Sequence, residues 1–344
     1  MASPTPAKRS LLALTRGDPS GIGPELALKA WAQSHRDPDA PPFLIAAEPD
    51  HLAELAKKLG LNVPIESVDA DAAADAFAHA LPVLASNSSV AGRPGAPDER
   101  DAAGTIASIE TCVRLVQAGK ACAIVTNPIA KEVLYRAGFA HPGHTEFLAH
   151  LSESLFGQTA RAVMLLWSPE LAVVPATIHV PLARVPTLLT RALLIETGLI
   201  VARDLKSRFG VDSPRLAFTG LNPHAGEGGA MGREEIDIIA PALEALAAAG
   251  VAVSGPHPAD TLFHAAARRG YDAVIAMYHD QALIPIKTLA FESAVNVTLG
   301  LPFVRTSPDH GTAFDIAGKG VANAASLINA LHLAGRLAQP CQAS

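Results

Sequence analysis

Three histidines each follow an apolar segment that predicts a β-strand. His179, His224 and His279 end the stretches LAVVPATIH, RLAFTGLNPH and YDAVIAMYH. In an α/β protein the carboxyl ends of the strands open onto one crevice, so imidazoles delivered there from distant segments can converge on one ion. Neutral imidazoles suit Zn²⁺ or another divalent transition metal and leave coordination positions for a substrate. A lone histidine near a strand end is more often a hydrogen-bonded structural residue, so the prediction of a metal-assisted enzyme depends on the three equivalent placements.

Groups that suit an anionic substrate accompany these histidines. Arg305 offers a forked donor for carboxylate or phosphate, and Lys287 and Asn296 precede it in the sequence. His144 and Thr145 stand at a predicted helix start, where backbone amides attract anions. Structural roles stay open as well, because a threonine there can be an N-cap and the two cations can be solvated surface charges.

Two glycine-rich stretches differ in what they indicate. The stretch at 17–23, GDPSGIG, lacks the G-x-G-x-x-G dinucleotide spacing, and a tight turn explains it as well as ligand contact does. The stretch at 221–232, LNPHAGEGGAMG, surrounds His224 and Asn222 with glycines that let the backbone approach a ligand closely. We therefore favour a functional role for the second stretch.

Composition limits the class of protein. A chain of 344 residues favours two domains, and its net charge of -6 gives no broad attraction for nucleic acid or acidic membranes. Cys112, Cys122 and Cys341 form an unpatterned set, which argues against a disulfide framework and fits a reducing cytoplasm. The N-terminus has too short an apolar run for a signal peptide, and no uncharged apolar run is long enough to span a membrane.

Short apolar runs alternate with longer helical ones, a pattern typical of an α/β sandwich. We expect helices from near residue 24, over 49–59 and over 102–118, and an irregular stretch over 70–101. The long apolar helices predicted at about 185–209 and 233–249 pack in a core or in a dimer interface, which the sequence does not separate. The predicted strands cover residues 11–14, 43–46, 123–125, 162–167, 171–176, 215–219, 273–277 and 295–299.

Ordered motifs run from residue 15 to about residue 333. Together they resemble the 4-hydroxythreonine-4-phosphate dehydrogenase family of pyridoxal phosphate synthesis. A modest departure is TRGDPSG, where many members have TPGEPAG. The motifs that carry the resemblance are GDPSGIGPE, TNPIAK, GHTEF, ATIHVPL, LNPHAGEGGAMG, PADTLF, AMYHDQ and VNVTLGLPFVRTSPDHGTA.

The resemblance implies a specific site. It matches His179, His224 and His279 to three ligands of one divalent ion (Zn²⁺, Mg²⁺ or Co²⁺), with the third contributed across a homodimer interface, so that the site exists only in the dimer. If the ion is Mg²⁺, Asp260 and Asp280 are further candidate ligands. The implied contacts of the phosphorylated amino-acid substrate are His144, Thr145, Lys287, Asn296 and Arg305.

The implied fold is that of isocitrate and isopropylmalate dehydrogenases, an α/β/α sandwich of two domains with the active-site cleft between them. We expect residues 1–127 and 292–344 to form the cofactor-side domain and residues 128–291 to form the metal and dimerisation domain. The stretch DHGTAFDIAGKGVAN, 309–323, resembles the adenosine loop of isopropylmalate dehydrogenases. By that similarity Asp315 accepts hydrogen bonds from ribose hydroxyls and favours NAD over NADP, and the adenine pocket is lined by His310, Gly311 and Ala313.

The implied reaction oxidises the C3 hydroxyl of 4-phosphooxy-L-threonine, and the 3-oxo acid then loses carbon dioxide. As general base we propose Asp280, with Lys287 as the alternative, although Asp280 could equally orient a ligand imidazole.

Other activities stay open. Paralogues act on 4-phosphorylated threonate or erythronate, or on cis-dihydrodiol dicarboxylates, with much the same histidines. A phosphate acyltransferase of the same architecture, or a metal-binding protein without catalysis, are hypotheses from other classes.

Overall fold

The structure is a computed structural model that describes residues 11–141 and 143–339. Within these residues the chain forms twelve β-strands. They are β1 (Leu12–Thr15), β2 (Phe43–Ala47), β3 (Ile65–Ser67), β4 (Leu81–Ala85), β5 (Ala123–Val125), β6 (Val163–Trp167), β7 (Ala172–Pro175), β8 (Arg215–Thr219), β9 (Ala252–His257), β10 (Ala273–Ala276), β11 (Val295–Leu299) and β12 (Val304–Pro308).

Helices alternate with these strands over most of the described chain. A π-helical turn, Glu235–Ile239, precedes one of them, and 3₁₀ turns occur at Glu99–Asp101, Leu182–Arg184, Pro223–Gly229 and Ala259–Thr261. The α-helices are α1 (Gly23–Ser34), α2 (Pro49–Leu59), α3 (Ala73–Ala76), α4 (Ala102–Gln117), α5 (Lys131–Arg136), α6 (His144–Phe156), α7 (Val185–Leu188), α8 (Arg191–Phe209), α9 (Ala240–Ala248), α10 (Ala265–Arg268), α11 (His279–Ala290) and α12 (Ala325–Leu337).

The described chain divides into two compact units, of which the first comprises residues 11–160 and Leu301–Gln339. Its strands lie in the order β3-β4-β2-β1-β5-β12, and every pairing among them is parallel. The strands β1, β2, β5 and β12 are buried along their whole length. Strands covered on both faces are usually apolar, which is why short runs such as LALT and FLIAA could be predicted from the sequence, whereas the polar run VRTSP of β12 was not predicted.

The segment that contains α5 and α6 belongs to this first unit. Helix α6 packs against α4, and α5 packs against the turn at Glu99–Asp101. The apolar residues Leu134, Phe147 and Leu148 are buried in these contacts. The boundaries of the compact units lie after residues 160 and 300. The domains expected from the sequence, 1–127 with 292–344 and 128–291, stay a prediction.

The second unit, Arg161–Gly300, carries a mixed sheet. Its strands lie in the order β11-β6-β7-β10-β8-β9. The pairs β11/β6 and β6/β7 are antiparallel, whereas β7, β10, β8 and β9 run parallel to one another. Helix α11 packs on β7 and β10, where Val173, Val274 and Ile286 share one core.

Strands and helices agree with the sequence predictions at most positions, and the predicted α/β class is confirmed. The prediction that residues 70–101 are irregular is wrong, because α3 and β4 form there and the apolar run 81–83 is buried. The helix predicted over 185–209 is broken after Leu188. Thr190 caps the second part by accepting a hydrogen bond from the Leu193 amide at 3.1 Å.

In the described part of the chain, no single helix has both the length and the apolar character needed to cross a membrane. The segments Leu182–Leu188 and Arg191–Phe209 reach that threshold only as a pair, which is bent by 89°. Cys341 and residues 1–10, on which sequence predictions were also made, lie outside the described residues.

Candidate active site

The three predicted histidine ligands follow three neighbouring parallel strands of the second unit. His179 comes four residues after the end of β7, His224 lies in the turn after β8, and His279 is the first residue of α11 after β10. Because β10 pairs with both β7 and β8 in parallel, the carboxyl ends of these strands share one edge of the sheet. The placement predicted from the sequence for these residues therefore holds.

His179 and His279 lie close together at that edge, with their ring centroids 5.7 Å apart. Two imidazoles bound to one zinc ion through nitrogens at about 2 Å have centroids about 5–6 Å apart, so this separation fits shared ligation. His179 also adopts a φ of 52°, a left-handed conformation that is uncommon for a non-glycine residue. Strain of this kind concentrates at ligand sites.

Carboxylates contact the Nδ1 atoms of two of the histidines. Nδ1 of His279 lies 2.7 Å from Oδ1 of Asp280, and Nδ1 of His224 lies 2.9 Å from Oε2 of Glu227. Such contacts fix the tautomer and direct Nε2 toward a metal. Three imidazoles, two of them with carboxylate partners, are a donor set that fits a divalent transition metal.

A single chain does not bring all three histidines together. Among residues 11–141 and 143–339, no three His, Cys, Asp or Glu side chains are grouped so that they could hold a metal ion. The side chain of His224 is 63% exposed at the surface of its loop. The prediction that the set of three is completed across a homodimer interface stays a prediction.

Gln281 connects the strand ends behind the histidines, a role that the sequence interpretation missed. Its Oε1 accepts hydrogen bonds from the hydroxyl of Thr219 at 2.7 Å and from the amide of Met277 at 2.8 Å. Its Nε2 donates to the carbonyl of Gly220 at 2.8 Å. Gln281 thereby ties β8 to β10, and its position two residues after His279 in AMYHDQ was the available signal.

Glu235 fixes the glycine-rich loop at 221–232, a second role that was missed. Its buried carboxylate accepts hydrogen bonds from the amides of Leu221 and Asn222, both at 2.8 Å. Residues 224–228 all have φ between 45° and 81°, so the chain reverses in left-handed steps around His224. The favoured functional interpretation of this loop gains a structural reason, since a flexible turn needs no buried anchor.

A small cavity of 160 Å³ adjoins His279. Thr177 and Asp280 are among the residues that line it, and the Thr177 hydroxyl donates to the Met277 carbonyl at 2.8 Å. The other lining residues are Val180, Leu182, Val185 and Tyr278. Both polar and apolar groups therefore face the space beside this histidine.

In the first unit, Arg305 is a buried cation on β12. Only 4% of the residue is exposed, and its Nε and Nη2 donate to the hydroxyl of Thr126 at 3.1 and 2.6 Å. Burial lowers the pKa of the Arg305 guanidinium to about 10, so it still carries its charge at neutral pH. The open alternative of a solvated surface charge is excluded for this residue.

His144 and Lys131 lie near this guanidinium. Burial, followed by the positive charges of Arg305 and Lys131, holds the pKa of His144 well below its ordinary value of 6.5, so the ring is neutral at pH 7. Its Nε2 is buried and has no hydrogen-bond partner among the described residues. A neutral ring and two cations suit an anion, and Lys131, which lies in the motif TNPIAK, was not singled out from the sequence.

The remaining predicted substrate contacts are spread over both units. Thr145 lies in the first turn of α6, beside His144. In the second unit Asn296 lies on β11, and its Oδ1 is buried without a hydrogen-bond partner among the described residues. Lys287 is on α11, and its ammonium lies 5.1 Å from the ring centroid of Phe291, which follows it by one helical turn. Within this chain Lys287 thus points along the helix away from His279.

The predicted adenosine loop belongs to the first unit. Asp315 is exposed, and a Cβ at Gly311 would meet open space, so ligand can approach the backbone there. Ala313 has a φ of 44°, and Nδ1 of His310 lies 3.0 Å from the carbonyl oxygen of Gly311. An accessible carboxylate on a loop with left-handed turns fits the hydroxyls of a ribose, so the donor set is compatible with a dinucleotide.

Taken together, the parallel strands, the imidazoles at their ends and the buried guanidinium of Arg305 are typical of α/β enzymes that bind an anionic substrate. The chain belongs to the family of the pyridoxal phosphate biosynthetic protein PdxA, whose family model matches residues 39–334. The family membership predicted from the motifs is therefore confirmed.

Individual relatives resemble the chain along its whole length. It is 59% identical over 330 residues to the 4-hydroxythreonine-4-phosphate dehydrogenase of Methylorubrum populi, covering 95% of this chain and 94% of that protein. The crystal structure of the Klebsiella pneumoniae 4-hydroxythreonine-4-phosphate dehydrogenase matches with a TM-score of 0.84 and 37% identity, covering 96% of this chain and 100% of that one. A terephthalate 1,2-cis-dihydrodiol dehydrogenase from Burkholderia xenovorans matches with a TM-score of 0.63 and 29% identity, covering 95% and 98% of the chains.

Proposed function

We propose that this protein is an NAD-dependent dehydrogenase that oxidises 4-phosphooxy-L-threonine at C3 in the synthesis of pyridoxal phosphate. The observation that carries the proposal is the pair His179 and His279, 5.7 Å apart at neighbouring strand ends, in a chain 59% identical to a dehydrogenase of that name. The function predicted from the sequence is thus also the one that the relatives' names carry.

His179, His224 and His279 are the residues that would hold the divalent ion. When bound, the ion would polarise the C3 hydroxyl and so lower its pKa. Asp280 orients the His279 ring through the contact at 2.7 Å, which supports the second of the two roles that the sequence left open for it. Asp280 as general base, with Lys287 as the alternative, stays a prediction.

The first unit would bind the phosphate of the substrate. Arg305 supplies a guanidinium whose orientation is fixed by Thr126, and Lys131 adds a second positive charge near His144. A buried, pre-oriented guanidinium binds a phosphate more strongly than a solvated one does. Water competes less for its N–H donors, and the fork is already oriented. His144 stays neutral and can donate a hydrogen bond to a phosphate oxygen.

The chemistry balances as a two-electron oxidation. The hydroxyl proton leaves to a base and the C3 hydride passes to the nicotinamide of NAD, which gives 2-amino-3-oxo-4-phosphooxybutanoate and NADH. That 3-oxo acid then loses carbon dioxide to give 3-amino-2-oxopropyl phosphate. Asp315, exposed on the loop at 309–323, would accept hydrogen bonds from the ribose hydroxyls of NAD.

We further propose that two protomers complete each site. Within one chain His179 and His279 lie close together, whereas the ring of His224 is exposed. We therefore propose that the third ligand of each site comes from a second copy of the chain. Inactive variants His224→Ala and His279→Ala, co-expressed, would form mixed dimers with one intact site if the two ligands come from different chains. About a quarter of the wild-type activity should then return, and no recovery in this mixture or in the matching mixtures with His179→Ala would rule out the shared site.

The decisive assay measures NADH absorbance with metal-reconstituted protein and 4-phosphooxy-L-threonine, with and without a chelator. The substrate panel includes 4-phosphorylated threonate and erythronate and a cis-dihydrodiol dicarboxylate, since a relative at 29% identity is named for such a compound. NADH formation with one of these alone would move the substrate assignment to a paralogue. Acyl transfer from acetyl-CoA to phosphate without NADH formation from any substrate would instead support a phosphate acyltransferase. If the protein binds metal but has no affinity for a dinucleotide, the result would support a non-catalytic metal-binding protein.

A further inference from the structure

Arg16 is a fully buried arginine at the carboxyl end of β1, where it starts the glycine-rich loop at 17–23. Only 1% of the residue is exposed, and its guanidinium forms an ion pair with Glu48, which lies between β2 and α2. The Ser88 hydroxyl donates to the same carboxylate. A buried charge pair is costly to form, so its placement here calls for a role beyond general stability.

The guanidinium also binds the start of α4. Nη2 donates to the carbonyl of Asp101 at 2.6 Å and to the hydroxyl of Thr105 at 3.2 Å. Gly104 makes room for this contact, because a Cβ there would lie 2.8 and 2.9 Å from the two terminal nitrogens of Arg16. Arg16 thus joins β1, β2 and α4 at a single point.

One chain of contacts leads from this point to the loop at 309–323. The Asp101 carboxylate accepts hydrogen bonds from the amides of Ala91 and Gly92, both at 2.8 Å. The turn that follows is pressed against the loop, since a Cβ at Gly95 would lie 2.9 Å from the carbonyl oxygen of Phe314. Likewise, a Cβ at Gly318 of the same loop would lie 2.6 Å from the Cβ of Pro94.

A second chain of contacts runs through the backbone next to Arg16. Near the end of the loop at 17–23, the amide of Ile22 donates to the carbonyl of Thr312 at 2.9 Å. A Cβ at Gly21 would lie 2.9 Å from the same oxygen. The two routes are linked, because the Gly95 amide donates to the carbonyl of Ser20 at 2.8 Å.

We propose that Arg16, together with Glu48, is a positioning residue for the loop at 309–323 and thereby for dinucleotide binding. The inference rests on the proposed function in that this loop binds NAD. The guanidinium of Arg16 contacts Glu48 and the start of α4. Arg16 therefore acts on the loop at 309–323 indirectly, through the turn at 91–96 and the loop at 17–23. Loss of the pair loosens the loop and weakens NAD binding, while the metal ligands, all in the other unit, are unaffected.

The test compares wild type with the double variant Arg16→Met/Glu48→Met. Both charges are removed because a single loss leaves an unpaired buried charge, and a conformationally intact protein is needed. Lys120→Gln/Asp71→Asn is the matched control, since it removes an exposed ion pair from the same unit. For each protein we would measure NAD affinity by calorimetry and determine kcat and the KM for NAD separately by steady-state kinetics. Metal affinity and amide hydrogen exchange complete the set of measurements.

We expect the NAD dissociation constant and the KM for NAD to rise about tenfold in the double variant, with kcat changed by less than about twofold. Hydrogen exchange should rise in residues 91–96 and 309–323 and stay unchanged in β10 of the second unit. Arg16→Lys should restore part of the affinity, because it keeps the charge and loses the fork. If the double variant does not fold, Arg16→Lys, which keeps both charges of the buried pair, carries the same measurements with a smaller expected rise in the NAD dissociation constant.

Unchanged NAD affinity and unchanged exchange in both segments, in a wild type that binds NAD, would overturn the positioning role. A parallel fall of kcat and metal affinity would also overturn it, because that pattern means general destabilisation. A wild type that binds no NAD contradicts the proposed function instead, and the exchange of residues 309–323 then still tests whether Arg16 positions the loop.

Discussion

Nδ1 of His279 and Oδ1 of Asp280 lie 2.7 Å apart, so the predicted base is bound to the predicted metal ligand next to it in the sequence. A carboxylate that accepts a hydrogen bond from Nδ1 makes the imidazole a better ligand through Nε2 and fixes the orientation of the ring. The oxygen that contacts Nδ1 is then engaged with the imidazole rather than free to take a proton from a substrate.

Asp280→Asn should therefore weaken metal binding rather than the chemical step. We expect metal affinity to fall about 10- to 100-fold, with kcat largely recovered at saturating metal, since the amide keeps the size of the side chain and loses its charge. Activity measured against metal concentration, with metal content determined directly, separates the two effects.

Asp237→Asn is the control for this variant, because Asp237 is also in the second unit and pairs with Arg233 at the surface. A kcat that falls by orders of magnitude at unchanged metal affinity would instead establish Asp280 as the general base.

His224→Ala should lose metal and turnover together, since the ring is one of three proposed ligands and the loop around it is fixed by Glu235. Metal content after dialysis and NADH formation are the measurements. His257→Ala serves as the control, because that ring is exposed in the same unit and lies 3.0 Å from Ser254. Full activity and full metal content in the His224 variant would contradict the ligand assignment.

The sequence was sufficient to predict where the histidines lie. Buried parallel strands are continuous apolar runs, and a polar residue just after such a run lies at the strand's carboxyl end whatever the rest of the chain does. The order β7-β10-β8 brings His179, His279 and His224 to neighbouring ends, and helix α2 begins at Pro49 and ends before Gly60 as its sequence indicates.

Other features depend on contacts between distant segments and have no local signature. Strand β9 is largely exposed and includes Gly255 and Pro256, so its sequence resembles a turn. The hydrogen bonds of Gln281 to Thr219 and Gly220 join residues about sixty positions apart, and the buried pair of Arg16 and Glu48 joins two strands. Such pairs become visible only when the fold is known.

Arg305→Lys should raise the KM for the phosphorylated substrate about 10- to 100-fold, because the lost charge-assisted hydrogen bonds are worth about 1.5–3 kcal/mol. Lysine keeps the positive charge but loses the fork that Thr126 holds in place. Steady-state kinetics with varied substrate is the measurement, and metal affinity should not change.

Arg114→Lys is the control for that substitution, since Arg114 is exposed on α4 of the same unit. An unchanged KM in the Arg305 variant would exclude this guanidinium from phosphate binding.

The free energy of unfolding should fall with pH below about 4.5 in a way that depends on Glu48. Burial opposes ionisation of this carboxyl, but the Arg16 charge and the hydrogen bonds from Ser88 and Arg16 together hold its pKa below the usual 4.5. As the pH falls, the unfolded chain is protonated first, so the stability present above pH 4.5 is lost as the pH passes through the folded-state pKa. Urea unfolding midpoints at a series of pH values measure the effect.

Glu48→Gln should lower stability at pH 7 by about 3 kcal/mol, because it leaves Arg16 unpaired, and should flatten the dependence below pH 4.5. Glu54→Gln, an exposed position on α2, which Glu48 directly precedes, should change neither. An equally steep acid dependence in the Glu48 variant would show that other groups cause it.

Asp315→Ala should shift the cofactor preference toward NADP. The carboxylate is exposed on the loop at 309–323, where it would accept hydrogen bonds from the ribose hydroxyls of NAD and repel a ribose phosphate. Removal of both effects, each worth about 1 kcal/mol for an exposed group, should raise the ratio of kcat/KM for NADP to that for NAD by about tenfold or more.

Asp315→Asn separates the two effects, since it keeps a hydrogen-bond acceptor and loses the charge, and it should change the ratio less. Because repulsion between exposed charges is screened by salt, the ratio for the wild type should rise with ionic strength while that of the alanine variant stays constant. A ratio that is the same in all three proteins would exclude Asp315 from ribose recognition and leave the preference to the backbone of the loop.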